Sequence, residues 1–240
     1  MITVNEFELS GRLKTVAMEI PPSSKIADIG SDHAYLPCYA VLQGIACYAV
    51  AGEVNEGPFQ SAKNQVEKLR LQDRIKVRKG NGLEVIENDE VNVITIAGMG
   101  GPLITEILEA GKEKLGNVNR LILQPNIGAS SIRIWLIENG WELIREYILE
   151  EDKKIYEVLV AEKGNSLFPY QDEKNRESDL LLGPFLKKEK NEAFIKKWEH
   201  ELAKWQKIIT QLDQAIDSEE NINKRSELMN KIQMVKEVLL

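Results

Sequence analysis

Hydrophobic and polar positions along this chain follow three successive spacings. The first is helical. Leu9, Leu13, Val16 and Ile20 recur every three or four residues, which lines one face of an amphipathic helix, and Pro21 and Pro22 end it. After the prolines, short β-branched runs alternate with segments of helical period, the signature of a parallel sheet covered by helices on both faces. The runs predict strands at 25–29, 47–53, 75–78, 91–96 and 119–124, with helices near 35–44, 57–71, 102–115 and 128–139. Two more strands, 141–149 and 154–162, flank "EEDKK", a short charged connection suited to a hairpin. The expected fold is α/β: a doubly wound, Rossmann-like sheet that ends in an antiparallel hairpin.

The third spacing begins near residue 185. Phe194, Trp198, Leu202, Trp205, Ile209, Leu212 and Ile216 step by fours and threes, which is the seam of a coiled coil. "DSEEN" (217–221) interrupts it, and Leu228, Ile232, Val235 and Leu239 resume it, so two antiparallel helices zipped along one seam are expected. Residues 165–184 between the two regimes are polar and punctuated by Pro169, Gly183 and Pro184, and read as a linker. The expected domains are 1–164, the sheet domain, and 185–240, the helical pair.

Composition changes this picture little. The chain has 240 residues, 43% apolar and 29% charged, enough for a sizeable core. "MITVNEFELSGRLK" has no basic-then-apolar leader, no run approaches a membrane span, and Cys38 and Cys47 have neither metal nor redox spacing. A cytoplasmic protein without metal or membrane contact is expected, acting as a monomer. Charge is uneven. The net −7 divides into −8 before residue 185 and +1 after it, and "KLRLQDRIKVRK" (68–79) packs six basic residues around Asp73. Indiscriminate nucleic-acid binding is therefore disfavoured, while a local contact stays open.

The candidate chemistry lies at the carboxyl ends of the strands, where doubly wound sheets bind ligands. "DIGSDHAYLP" (28–37) leaves the first strand through Asp28, Gly30 and Asp32. Gly30 lets a ligand approach the backbone, and the carboxylates suit a cationic ligand. No G-x-G-x-x-G follows the strand and no G-x-x-x-x-G-K-[ST] occurs anywhere, which leaves nicotinamide and nucleotide phosphate readings far behind. Glu53 ends the second strand where a ribose hydroxyl pair would be held by a carboxylate. Asn81 and Gly82 end the third, where an amide suits an adenine edge, and "AGMGG" (97–101) ends the fourth with room for a flat group against backbone. S-adenosyl-L-methionine, a sulfonium and ammonium cation with no phosphate, fits these demands together. A tight turn with an Asp cap and no ligand is the plainer reading of the first motif alone.

In "LSGRL" (9–13), "DIGSDHAYLP", "EVNEGP" (53–58), "GNGL" (80–83), "AGMGG" and "QPN" (124–126), the sequence resembles the TrmK family of bacterial tRNA (adenine-22-N1)-methyltransferases, within the class I methyltransferases. The resemblance, which includes the C-terminal helical pair, implies the cofactor S-adenosyl-L-methionine and the substrate tRNA. It implies that Gly30 and Asp32 line the methionine end, that Glu53 holds the ribose, and that Val54 lies against the adenine. Asn81 and Gly82 would border that adenine, with Ala97 and Gly98 on its other side. Asn81 stands where many methyltransferases have Asp, and "QPN" stands in place of N-P-P-[YF].

Candidates for the base pocket are His33, Gln124 and Asn126. His33 is the one side chain there that ordinarily titrates near neutrality; its alternative is a ring packed under the first helix. For Gln124 and Asn126 the alternative is a proline-stiffened strand end. Tyr35 and Met99 are read as core before they are read as stacking groups. Expected contacts to the tRNA backbone are Arg12, Lys14, Arg74, Arg78 and Lys79 near the sheet, and Lys187, Lys188, Lys190, Lys196 and Lys197 on the helical pair. A methyltransferase of small molecules or proteins, and a non-catalytic coiled-coil interaction protein, are the competing readings.

Overall fold

The structure, a computed structural model, describes residues 7–214 and 218–240. The chain divides into two compact units at the Pro169–Tyr170 boundary.

The first unit opens with α1 (Gly11–Met18), whose N-terminus is capped by the Ser10 hydroxyl accepting from the Leu13 N–H at 3.3 Å. Five parallel strands follow: β1 (Ser24–Ile29), β2 (Ala46–Glu53), β3 (Ile75–Lys79), β4 (Val93–Gly100) and β5 (Arg120–Ile127). They alternate with α2 (Tyr35–Leu42), α3 (Glu56–Lys68), α4 (Gly101–Ala110) and α5 (Ala129–Glu138). The hairpin β6 (Trp141–Glu151) and β7 (Lys154–Lys163) completes a seven-stranded sheet in the order β3-β2-β1-β4-β5-β7-β6. Only β7 runs against the others: it pairs antiparallel with both β5 and β6. The doubly wound sheet with a terminal hairpin is the architecture that the alternating pattern predicts.

Strands covered on both faces are apolar at nearly every position. In β1 every residue except Lys25 is buried. The strand order reverses between β1 and its neighbours β2 and β4, which opens a crevice at their carboxyl ends. Expected boundaries shift by a few residues, most where glycines permit it. The fourth and fifth strands outrun their apolar stretches and stay paired to Gly100 and Ile127, with irregular register around Met99. The helix expected over 102–115 stops at Gly111, where a Cβ would lie 2.4 Å from Leu83; a 3-10 turn, Lys112–Leu115, continues it.

The second unit contains α6 (Arg176–Leu182), α7 (Leu186–Glu189), α8 (Glu192–Asp213) and α9 (Glu219–Leu239). Residues 165–184, expected to be a linker, therefore hold a helix. Its cause is local: Leu182 and Asp179 are buried, and Asp179 is paired to Lys187 at 2.8 Å. The helices α8 and α9 pack on one another, with Phe194, Trp198, Leu228, Ile232 and Val235 buried. Trp198 stands 6.2 Å, centroid to centroid, from both Phe194 and Trp205. Ile216, expected in the seam, lies outside the described residues. No helix among the described residues is long and apolar enough to cross a membrane.

Candidate active site

The turn after β1 carries the most constrained backbone of the crevice. Gly30 (φ +72°), Asp32 (φ +55°) and Ala34 (φ +54°) all lie in the left-handed region. At Gly30 the requirement is the positive φ; a Cβ there would meet Met99 Cε at 2.1 Å, but that is the movable end of a flexible side chain. The Gly30 and Ser31 N–H groups donate to the Gly52 carbonyl at 3.0 and 3.1 Å, tying the turn to the end of β2. The Asp32 N–H donates to Glu53 Oε1. Glu53 is thus the receiving wall of the turn, and its own side chain is only 6% exposed.

Two buried carboxylates result. Asp28 accepts from the Ser31 hydroxyl at 2.6 Å and the Thr95 hydroxyl at 2.7 Å. Burial pushes its carboxyl up to about 6; the two hydroxyls and the charge of Arg12 only partly counteract this, and nearby Glu53 adds to it. Burial likewise raises Glu53, against the pull of the Asp32 and Val54 N–H groups. Asp32 differs, its side chain being largely exposed at the mouth of the crevice. His33 is half-exposed beside it, with Nε2 3.7 Å from Asp32 Oδ1 and its ring stacked on Tyr35 at 5.2 Å between centroids. The ring is therefore not packed beneath the helix.

Val54 is exposed at the end of β2. Asn81 is exposed above the short 3-10 turn Gly82–Val85, and its N–H donates to Glu84 Oε2 at 3.0 Å. A cavity of about 310 Å³ opens beside Asn81 and Gly82, walled by Leu103, Glu106 and Ile107 of α4. Ala97 is half-buried and Gly98 exposed (φ +80°), at a left-handed turn of the backbone inside β4 near its end.

That turn explains the Q-P-N segment of β5. Gln124 is wholly buried, and its Oε1 accepts from the Gly98 N–H at 3.0 Å and from the Arg12 guanidinium. Its Nε2 donates to the Pro125 carbonyl at 2.9 Å. Asn126, exposed, donates from Nδ2 to the Gly98 carbonyl at 2.7 Å. Two side-chain amides thus clamp the peptide groups of one left-handed glycine. Gln124, expected at the base edge, has its amide fully engaged in this clamp; Asn126 remains at the surface, and its Oδ1 accepts from Gln124 Nε2 at 3.5 Å.

Several expected tRNA contacts are committed elsewhere. Arg12 is half-buried: besides Gln124 it faces the Tyr156 ring at 5.3 Å, and its N–H donates to Glu151 Oε2 at 2.7 Å. Arg74 donates to the Val41 carbonyl at 2.6 Å, and Arg78 pairs with Glu90 at 2.7 Å and donates to the Val85 carbonyl at 2.8 Å. Lys187 is held by Asp179 and the Ser178 hydroxyl, both at 2.8 Å. Each such chain spends its donors on the fold. Lys79 pairs with Glu56 at the surface, at 2.5 Å. Lys14, Lys188 and Lys190 are exposed; Lys196 and Lys197 are half-buried, Lys197 lying 4.8 Å from the Trp198 ring centre. Among the described residues no cluster of three or more His, Cys, Asp or Glu side chains has a metal-binding arrangement.

What sequence reading missed is the role of Arg12 and Thr95. Their partners lie 112 and 67 residues away, and no local motif signals either contact.

The sequence matches the family TrmK, tRNA (adenine(22)-N(1))-methyltransferase, over residues 26–237. It is 56% identical over 236 residues to the tRNA (adenine(22)-N(1))-methyltransferase of Bacillus subtilis (strain 168), covering 98% of this chain and 99% of that one. The crystal structure of the B. subtilis M1A22 tRNA methyltransferase TrmK aligns with a TM-score of 0.93 at 54% identity, over 98% of this chain and 100% of that chain. Streptococcus pneumoniae Sp1610, solved in complex with S-adenosyl-L-methionine, aligns with a TM-score of 0.85 at 44% identity, over 97% and 100%. The match spans the crevice strands and the helical pair alike, and the chain belongs to the TrmK family of tRNA (adenine(22)-N(1))-methyltransferases.

Proposed function

We infer that the protein transfers a methyl group from S-adenosyl-L-methionine to N1 of adenine 22 in tRNA. The observation that carries the reading is the pair of carboxylates, Asp28 and Glu53, buried at the strand reversal with hydroxyl and N–H partners but no ion pair among the described residues. A buried anion with no cation paired to it is stabilised by a cationic ligand, and Arg12, which acts on Asp28 only through its charge, leaves room for that. The residues present fit such a group: Gly30 and Asp32 at the methionine end, Glu53 at the ribose, and Val54, Asn81, Gly82, Ala97 and Gly98 around the adenine.

When bound, the cofactor supplies a methyl group activated by its sulfonium. The chain's own residues then align and dehydrate the acceptor, and alignment alone lowers such barriers by ~7–11 kcal/mol in favourable cases. Adenine N1 attacks through an in-plane lone pair, so no side chain has to remove a proton first. The base becomes cationic as the bond forms, and the proposed stabilising groups are the exposed Asp32 carboxylate and the Asn126 amide oxygen, whose one bond among the described residues is a long one from Gln124 at 3.5 Å. His33, stacked on Tyr35, offers the target base a flat neighbour. Gln124 acts as a positioning residue that holds the Gly98 turn, and Asp28 as one that holds the Gly30 turn.

The proposed assembly is a cytoplasmic monomer working without a metal. The proposed domains are a methyltransferase domain over 1–164 and a coiled-coil pair over 185–240 that reaches along the tRNA. Lys14, Lys79, Lys188, Lys196 and Lys197 supply the proposed phosphate contacts. Incubation with methyl-labelled cofactor and unmodified tRNA, followed by nucleotide mapping, tests the reading. N1-methyladenine at position 22 is expected; label on another atom, or on tRNA nowhere, overturns it.

A further inference from the structure

One residue at the lip of the crevice has no role in the chemistry above. Ile127, the last residue of β5, is 75% exposed, yet its backbone is firmly held. It pairs with Gly100 of β4, and the next residue, Gly128, turns through φ +73°. The Gly128 carbonyl oxygen presses so closely on Gly101 that a Cβ there would lie 2.0 Å away. A β-branched side chain on such a backbone has few rotamers open to it. Ile127 Cγ1 and Pro102 Cδ flank Gly100, 4.0 and 3.9 Å from where a Cβ would stand. Pro102 is exposed as well, so the two form an apolar ridge next to Asn126 in the chain.

A lone surface isoleucine would call for no explanation. This one is stiff, backed by the apolar Pro102, and adjacent in sequence to the amide proposed to meet the target base. Adenine N1 lies on the Watson–Crick edge, out of reach while the base is stacked, and extrusion costs a few kcal/mol. Apolar side chains inserted between bases recover part of such a cost by replacing the lost stacking surface. We propose that Ile127 is a wedge that enters the gap left in the tRNA stack as the target adenine moves into the crevice, with Pro102 supporting it. This inference rests on the tRNA adenine methyltransferase reading and adds a substrate-contacting residue to it.

The test compares Ile127→Ala with the unaltered protein under single turnover on two substrates. One is unmodified tRNA; the other is the same tRNA with abasic linkers on both sides of the target adenine, which removes the bases the wedge would touch. Ile127→Ala is expected to slow methylation of the first roughly tenfold and leave the second nearly unchanged, with cofactor affinity unaltered. Ile127→Leu should restore most of the rate. An equal loss on both substrates, or no loss on the first, overturns the wedge. Failure of the unaltered protein to methylate adenine N1 in intact tRNA would instead overturn the underlying function.

Discussion

The same sheet buries carboxylates in two places and treats them in opposite ways. On the far side from the crevice, Arg133 of α5 is fully buried between Glu146 of β6 and Glu157 of β7, at 2.6 and 2.5 Å. Charge there is answered within the chain. At the strand reversal, Asp28 and Glu53 are also buried, but they are met by hydroxyls and N–H groups with no ion pair among the described residues; Arg12 acts on Asp28 only through its charge, and both carboxyls are raised. The first cluster holds the hairpin to the helix. The second has no paired cation among the described residues, which is the arrangement the proposed cationic ligand would complete. Burial of a charge is therefore no mark of function by itself; what sets the proposed site apart is that its acids have no ion pair among the described residues.

Breaking the first cluster should give the largest effect. Arg133→Met leaves two carboxylates buried without their cation, so a loss of about 3–5 kcal/mol in denaturant unfolding is expected. Cofactor affinity of the fraction still folded should stay near that of the unaltered protein. A comparable loss of affinity without a loss of stability would show the contrast to be mistaken.

Glu53→Gln inverts that experiment. The amide oxygen can still accept from the Asp32 N–H, so the turn survives, but the charge is gone. Calorimetry should find cofactor binding weakened roughly tenfold to a hundredfold, with a melting temperature equal to or above the original. Gln124→Leu probes the neutral side of the crevice: it orphans the Gly98 N–H and should cost about 1–3 kcal/mol of stability. Methylation rate should fall more than cofactor affinity does, since the clamp shapes the turn near the target base.

The smallest expected effect is a pH dependence. Because Asp28 is raised from 3.8 to about 6, its contribution to the stability of the ligand-free protein is complete below 3.8 and is lost as pH rises through about 6. A bound cation favours the ionised form, so cofactor affinity should drop about threefold to tenfold as pH falls through 6. S-adenosylhomocysteine, whose sulfur is neutral, should show a shallower slope. Equal slopes for the two ligands would mean that Asp28 does not sense the sulfonium.

Much of this site is legible in the sequence because its parts are local. "DIGSDHAYLP" places Gly30 and Asp32 on one turn by chain connectivity, and Glu53 and Asn81 end strands whose apolar runs are plain to read. Arg78 and Lys187 mislead for the complementary reason. A basic residue in a charged stretch looks solvated until the fold brings Glu90 or Asp179 to it. Gln124 shows the same limit, since its amide is consumed by Gly98 and Arg12, neither of which its own segment contains. Ile127 has no local signal at all: one apolar residue at the end of an apolar strand becomes conspicuous only once its exposure is known.

The order of apolar and polar residues alone determined the alternation of strands and helices, the terminal hairpin, and the carboxylates and glycines at four strand ends, because periodicity and backbone conformation act over a few residues. Tertiary structure alone decided that β7 lies between β5 and β6, which basic groups are spent internally, and which buried acids find a cation. Those outcomes depend on distance in space between residues far apart in the chain. Solvation and Coulomb forces respond to that distance, and local pattern does not encode it.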